Sequence, residues 1–255
     1  MTNTAFEGLD SPVRVAPSLI ANDLTAGYKG HAIIHDVSLQ VGPGEVVLVV
    51  GPNGAGKSTL VKSINGELGL MSGSVEFCGN RIEHLAEEKR AALGIGYVPQ
   101  VRDVFPLLSV RENLEIGAYR LSQKAAKERV EVVMDEFPQL RELAKRQAKQ
   151  LSGGQRKLVG VARALVADPD LFMLDEPTSN LSPGVAKQVL NEVVGALASA
   201  GRSLLLIEQR VSLALEVATW VYVMVDGRVR FNGSVEEFSS RDDMATLFFG
   251  TLGGR

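Results

Sequence analysis

A chain of 255 residues, 45% apolar and 22% charged, is long enough for one α/β domain with a sizeable core, and this balance excludes fibrous and disordered classes. The formal charge of -3 lacks the basic excess of a nucleic-acid-binding domain, so any polyphosphate has to be held locally. The longest apolar runs, Val46–Val50 and Leu204–Ile207, fall far short of the roughly 20 residues that a membrane-spanning helix needs. The start of the chain carries Glu7, Asp10 and Pro12 and does not read as a secretory leader, so a cytosolic location is expected. Cys78 is the only cysteine, which excludes an internal disulfide, and it is expected as a small core residue. His31, His35 and His84 lack zinc-like spacing and read as structural.

In chain order, residues 1–17 read as a loose tail, and Leu19–Ala26 and His35–Val41 as strands. Glu45–Val50 is a β-branched run closed by Gly51, and Lys57 to about Asn65 is helix-compatible, which makes strand, glycine turn and helix. Between about residues 101 and 162 the strand-like runs give way to helical spacing, as in Val110–Leu114–Ala118 and Val130–Met134–Phe137. Strand-like runs return at Leu171–Leu174, Leu204–Ile207 and Trp220–Val225. This alternation predicts an α/β fold with a parallel sheet covered on both faces, a core at 18–100 and 163–255, and an inserted helical lobe.

Three segments carry chemistry. Gly51-Pro52-Asn53-Gly54-Ala55-Gly56-Lys57-Ser58-Thr59 has the phosphate-loop pattern, whose glycines let backbone N–H groups converge on phosphate oxygens at a helix N-terminus. Lys57 would reach the β- and γ-phosphates of ATP, and Ser58 would ligate Mg²⁺. The run Leu171–Leu174 ends in Asp175 and Glu176, at the sheet edge that presents ligand-binding residues. Asp175 suits the Mg²⁺ shell, and Glu176 is placed to orient or deprotonate the attacking water at the γ-phosphate. In Leu151-Ser152-Gly153-Gly154-Gln155, Ser152 can cap a helix running through about Val166, and Gly153 and Gly154 expose N–H groups as a second anion site.

These three segments, in this order, resemble the ATP-binding cassette family over about residues 18–240. The resemblance implies a P-loop NTPase fold with a RecA-like, mostly parallel sheet and an N-terminal antiparallel β subdomain. It implies two cassettes packed head to tail, so that Ser152, Gly153, Gly154 and Gln155 of one subunit meet the ATP held by Lys57 of the other. Tyr28 matches the family's adenine-stacking aromatic, and Gln100, in Gly96-Tyr97-Val98-Pro99-Gln100, matches the residue that touches Mg²⁺ and the water. Gln209 stands where many cassettes have a histidine on the γ-phosphate: its amide can donate a hydrogen bond but cannot be protonated. After Glu176 the chain has Leu181-Ser182 where the family often has Leu-Asp.

Within the family the chain most resembles the ATPase subunits of branched-chain amino acid importers, through Gly94–Pro99, Val104-Phe105-Pro106, Leu108–Leu114, Ile207-Glu208-Gln209 and the ending Leu247–Gly254. That implies a second ATPase subunit, two membrane permease subunits and an external binding protein, with the ATPase peripheral on the cytoplasmic face of a bacterial or archaeal membrane. Urea or amide import and lipopolysaccharide export stay open. A soluble cassette acting on ribosomes or DNA is disfavoured, because Lys57 and Ser152 lie in one compact domain with neither a second cassette nor a long coiled coil.

Overall fold

The structure, a computed structural model, describes residues 18–101 and 103–241, so the expected tail and the Leu247–Gly254 ending lie outside the described residues. Strands β1 (Leu19–Tyr28) and β2 (His31–Val41) form an antiparallel hairpin, and β3 (Val46–Val50) leads through the glycine turn into α1 (Lys57–Asn65). β4 (Leu70–Phe77) and β5 (Asn80–Arg81) complete a four-stranded sheet in the order β2-β1-β4-β5. After α2 (Glu87–Ala92), strand β6 (Ile95–Val98) enters the second sheet.

The helical lobe follows, with α3 (Val110–Gly117), α4 (Gln123–Glu136), α5 (Pro138–Leu143) and the long α6 (Gly153–Val166), which also packs on β6. The second sheet then takes up β7 (Leu171–Asp175), α7 (Pro183–Ser199), β8 (Ser203–Ile207), α8 (Val211–Leu215), β9 (Trp220–Val225), β10 (Arg228–Ser234) and α9 (Val235–Ser239). Its order is β10-β9-β3-β8-β7-β6, parallel throughout except for the β9–β10 hairpin.

The sheet is covered on both faces. Along β3, Val46, Leu48 and Val50 enter the cluster shared with the helical lobe, whereas Val47 and Val49 enter the cluster shared with α1 and the antiparallel sheet. Each such side chain contributes about 1.5–3 kcal/mol by leaving water, which is why an unbroken apolar run forms the central strand. The lobe is fixed by caps: Ser109 and Glu112 form a capping box on α3. The buried Asn113 accepts from the Phe105 amide at 2.7 Å and donates to the carbonyls of Phe105 and Ser109.

Two expectations change. β1 and β2 run further than the sequence suggested and meet at the Lys29-Gly30 turn. Cys78 is exposed and not a core residue. It forms the β4–β5 turn with Gly79 at φ +48° and +77°, and a two-residue hairpin turn of this kind points its residues away from the sheet.

Candidate functional site

The site assembles at the C-terminal ends of β3, β6, β7 and β8, where a parallel sheet brings its following loops together. The 51–59 loop leaves β3 and enters α1. Gly51 sits at φ +155°, where a Cβ would fall 2.1 Å from the Met224 carbonyl oxygen, and Gly56 at φ +95°, where a Cβ would fall 2.6 Å from Ile34 Cγ2. Only glycine fits either place. Lys57 is buried, and its Nζ donates to the carbonyls of Gly51 at 2.9 Å and Pro52 at 3.0 Å. Burial lowers its pKa, opposed by the charges of Glu176, Asp175 and Glu208.

Asp175 ends β7 and is buried, and Ser58 Oγ lies 3.4 Å from its Oδ1. Burial holds the Asp175 carboxyl above the usual carboxylate range despite the Ser58 hydroxyl. Glu176 follows at φ +49°, a left-handed conformation that turns its side chain away from that of Asp175. Its carboxylate is held from two sides: Gln100 Nε2 donates to Oε2 and Gln209 Nε2 to Oε1, each at 2.6 Å. Residues 100, 176 and 209, chosen for separate reasons in the sequence, therefore share one carboxylate.

The second anion segment begins α6. Ser152 Oγ accepts from the Gln155 amide at 3.3 Å, the expected cap, and Gln155 Oε1 accepts in return from the Ser152 amide at 3.0 Å, completing a capping box. Gly153 and Gly154 pack so closely that a Cβ would fall 2.9 Å from Leu181 Cδ2 and 2.7 Å from Val185 Cγ1 respectively. Among the described residues no hydrogen bond joins 152–155 to the 51–59 loop. Tyr28, at the hairpin end of β1, is 48% exposed.

Two residues without an assigned role join the site. Lys157 Nζ donates to the Gln100 carbonyl at 2.6 Å and pairs with Asp103 at 3.1 Å. Glu208, 1% exposed, continues the apolar β8 with a carboxylate that accepts from the Thr178 amide at 2.9 Å. The sequence signal for Glu208 was an acid directly after an apolar strand; its partner is 30 residues away.

Comparison with known proteins identifies the family and the fold. Residues 34–179 match the model of the ABC transporter family. The chain is 41% identical over 229 residues, covering 90% of itself and 97% of the relative, to a probable branched-chain amino acid transport ATP-binding protein LivF from Archaeoglobus fulgidus. It is 32% identical to the lipopolysaccharide export system ATP-binding protein LptB of Escherichia coli, covering 91% of itself and 97% of the relative. Among solved structures, the ADP conformation of MJ1267, an ATP-binding cassette of an ABC transporter, matches with a TM-score of 0.83 at 27% identity, covering 92% of this chain and all of that one. With a P-loop NTPase fold, a phosphate loop and an amide-gripped carboxylate beside it, the chain belongs to the ABC transporter family as an ATP-hydrolysing cassette.

Proposed function

We propose that this ATPase works as half of a head-to-tail dimer powering a membrane permease, in the import of branched-chain or other hydrophobic amino acids. The observation that carries the hydrolytic part is the double hold on Glu176 by Gln100 and Gln209. With both carboxylate oxygens fixed, Glu176 is pre-set to orient the attacking water or take its proton, and fixed geometry of this kind replaces ordering that would otherwise burden the barrier. The amides of the 51–59 loop receive the phosphates and Lys57 meets the β- and γ-oxygens, while Tyr28 offers its exposed ring to adenine. The Ser152–Gln155 corner of a second copy would close over the γ-phosphate, which gives each chain's second anion site a task.

Ser58 and Asp175 fit Mg²⁺: both are hard oxygen donors, and a buried carboxylate pushed toward protonation gains from a cation beside it. Gln100 is placed to join them through Oε1, since its Nε2 is engaged by Glu176. The ion would supply neutralisation of phosphate charge. Core 18–100 and 163–255 would then carry the nucleotide, and the lobe at about 101–162 would carry motion to the permease at the cytoplasmic face of the membrane.

The cargo rests on the 41% identical relative named for branched-chain amino acid transport, set against 32% for the lipopolysaccharide export relative over a similar span. Detergent extraction of the tagged chain is expected to bring down apolar permease chains. In proteoliposomes, leucine with its external binding protein is expected to raise ATP turnover. Turnover that answers to urea, amides or lipopolysaccharide and not to leucine overturns the cargo; recovery of ribosomes or DNA in place of permeases overturns transport.

A further inference from the structure

Three residues at and just beyond the end of β8 reach the same loop. The Glu176 amide donates to the Ile207 carbonyl at 2.9 Å, the Thr178 amide donates to Glu208 Oε1 at 2.9 Å, and Arg210 Nη2 donates to the Leu181 carbonyl. Residues 207, 208 and 210 thus hold 176, 178 and 181 in a seam. Between Glu208 and Arg210, Gln209 sends its amide to the Glu176 carboxylate. Glu208 Oε2 accepts from the Gln209 main-chain amide at 3.2 Å, so one carboxylate grips both the loop after Glu176 and the backbone of Gln209.

A buried carboxylate is costly to keep, and burial pushes the Glu208 carboxyl up. What offsets that cost is its set of backbone N–H donors, and charged acceptors make the stronger hydrogen bonds. The seam holds Glu176 in a left-handed conformation that a non-glycine residue adopts only when its surroundings impose it. At its far end, Leu181 abuts Gly153 at the start of α6.

We propose that Glu208, with Arg210, is a positioning residue for ATP hydrolysis: by tying the Gln209 backbone to the 177–181 loop it aims the Gln209 amide at Glu176. This rests on the reading of Gln209 and Glu176 as the hydrolytic pair. Loss of the Glu208 charge loosens that aim without touching the phosphate loop, so turnover falls while nucleotide binding is kept.

The test is a double-mutant cycle on the full chain, with steady-state MgATP hydrolysis and calorimetric ATP binding measured for Glu208→Gln, Gln209→Ala and the double variant. Glu208→Gln is expected to lower kcat by roughly tenfold or more while ATP affinity stays within about twofold. The double variant is expected to be no slower than Gln209→Ala alone, since Glu208 acts through Gln209. Arg210→Ala, cycled against Gln209→Ala in the same way, gives the same readout should Glu208→Gln not fold. Multiplying losses, or a fall in ATP affinity matching the fall in kcat, overturn the proposal. Gln209→Ala at the parental rate removes the hydrolytic pair and this proposal with it, whereas a slowed Gln209→Ala beside an unchanged Glu208→Gln removes Glu208 alone.

Discussion

Lys157, one turn into α6, donates from Nζ to the main-chain carbonyl of Gln100 at 2.6 Å. The amide that touches the Glu176 carboxylate is therefore fastened, through its own backbone, to the helix that begins at Ser152. Two further residues on that helix receive the same stretch of chain. A Cβ on Gly160 would fall 3.0 Å from Asp103 Cβ, and the Arg163 guanidinium lies 5.2 Å from the centre of the Phe105 ring. A tilt of α6 would therefore act directly on the Gln100 backbone.

Replacing Lys157 by Met would leave Asp103 buried without its cation, which costs about 1–3 kcal/mol. Lower thermal stability is expected, together with slower hydrolysis at unchanged ATP affinity, because Gln100 is released from α6. Adding Asp103→Asn should restore the stability and leave the turnover defect. Thermal melts and steady-state rates on both variants check this, and a double variant that regains full turnover would dismiss the fastening role.

For Glu176→Gln, hydrolysis should fall by about a hundredfold or more while ATP still binds. The side chain keeps its shape but can neither take a proton nor accept from both Gln100 and Gln209. Closure without release should make an ATP-dependent dimer visible by size-exclusion chromatography. A variant hydrolysing at the parental rate would take Glu176 out of the chemistry.

Asp175 yields a stability prediction of definite sign. Burial raises its carboxyl above the ordinary 3.8, so in the window above that value the folded chain binds a proton that the unfolded chain has released. Stability therefore falls as pH rises through the window, and at neutral pH the full cost of the charge is present. Asp175→Asn removes that cost, and without added nucleotide the Tm at pH 7.5 should rise by about 2–4 °C, with a smaller gain near pH 4. Hydrolysis should be lost at the same time. A lower Tm, or a gain that ignores pH, would contradict this.

Gln209→His should keep measurable turnover and acquire a pH dependence near neutrality, because an imidazole titrates there and a carboxamide does not. Rate profiles of parent and variant across pH 6–8 decide it. Profiles of the same shape would show that the group at 209 acts by geometry alone.

The parts of this site that the sequence made legible are those whose partners are near in the chain. The β3–loop–α1 unit spans only 46–65, and its glycines, lysine and apolar strand are read together. The Ser152–Gln155 cap is equally local. β4 escaped notice because its buried residues, Val75 and Phe77, follow five exposed or half-exposed positions and a bend at Gly73. Cys78 was misplaced because residue type argued for the core while a hairpin turn, visible only as Cys-Gly, put it outside. Glu208 and Lys157 were unreadable for another reason: their partners lie 30 and 57 residues away, and nothing but the closed sheet brings them close.

That contrast in range separates capture of nucleotide from its consumption. The proposed phosphate cradle is contiguous, whereas the two amides on the Glu176 carboxylate come from positions 76 and 33 residues distant. They meet only once β6, β7 and β8 lie side by side. Opening of the β7–β8 pairing would part Gln209 from Glu176, so the grip on that carboxylate depends on closure of the whole sheet, while the Gly51–Thr59 segment stays continuous in sequence.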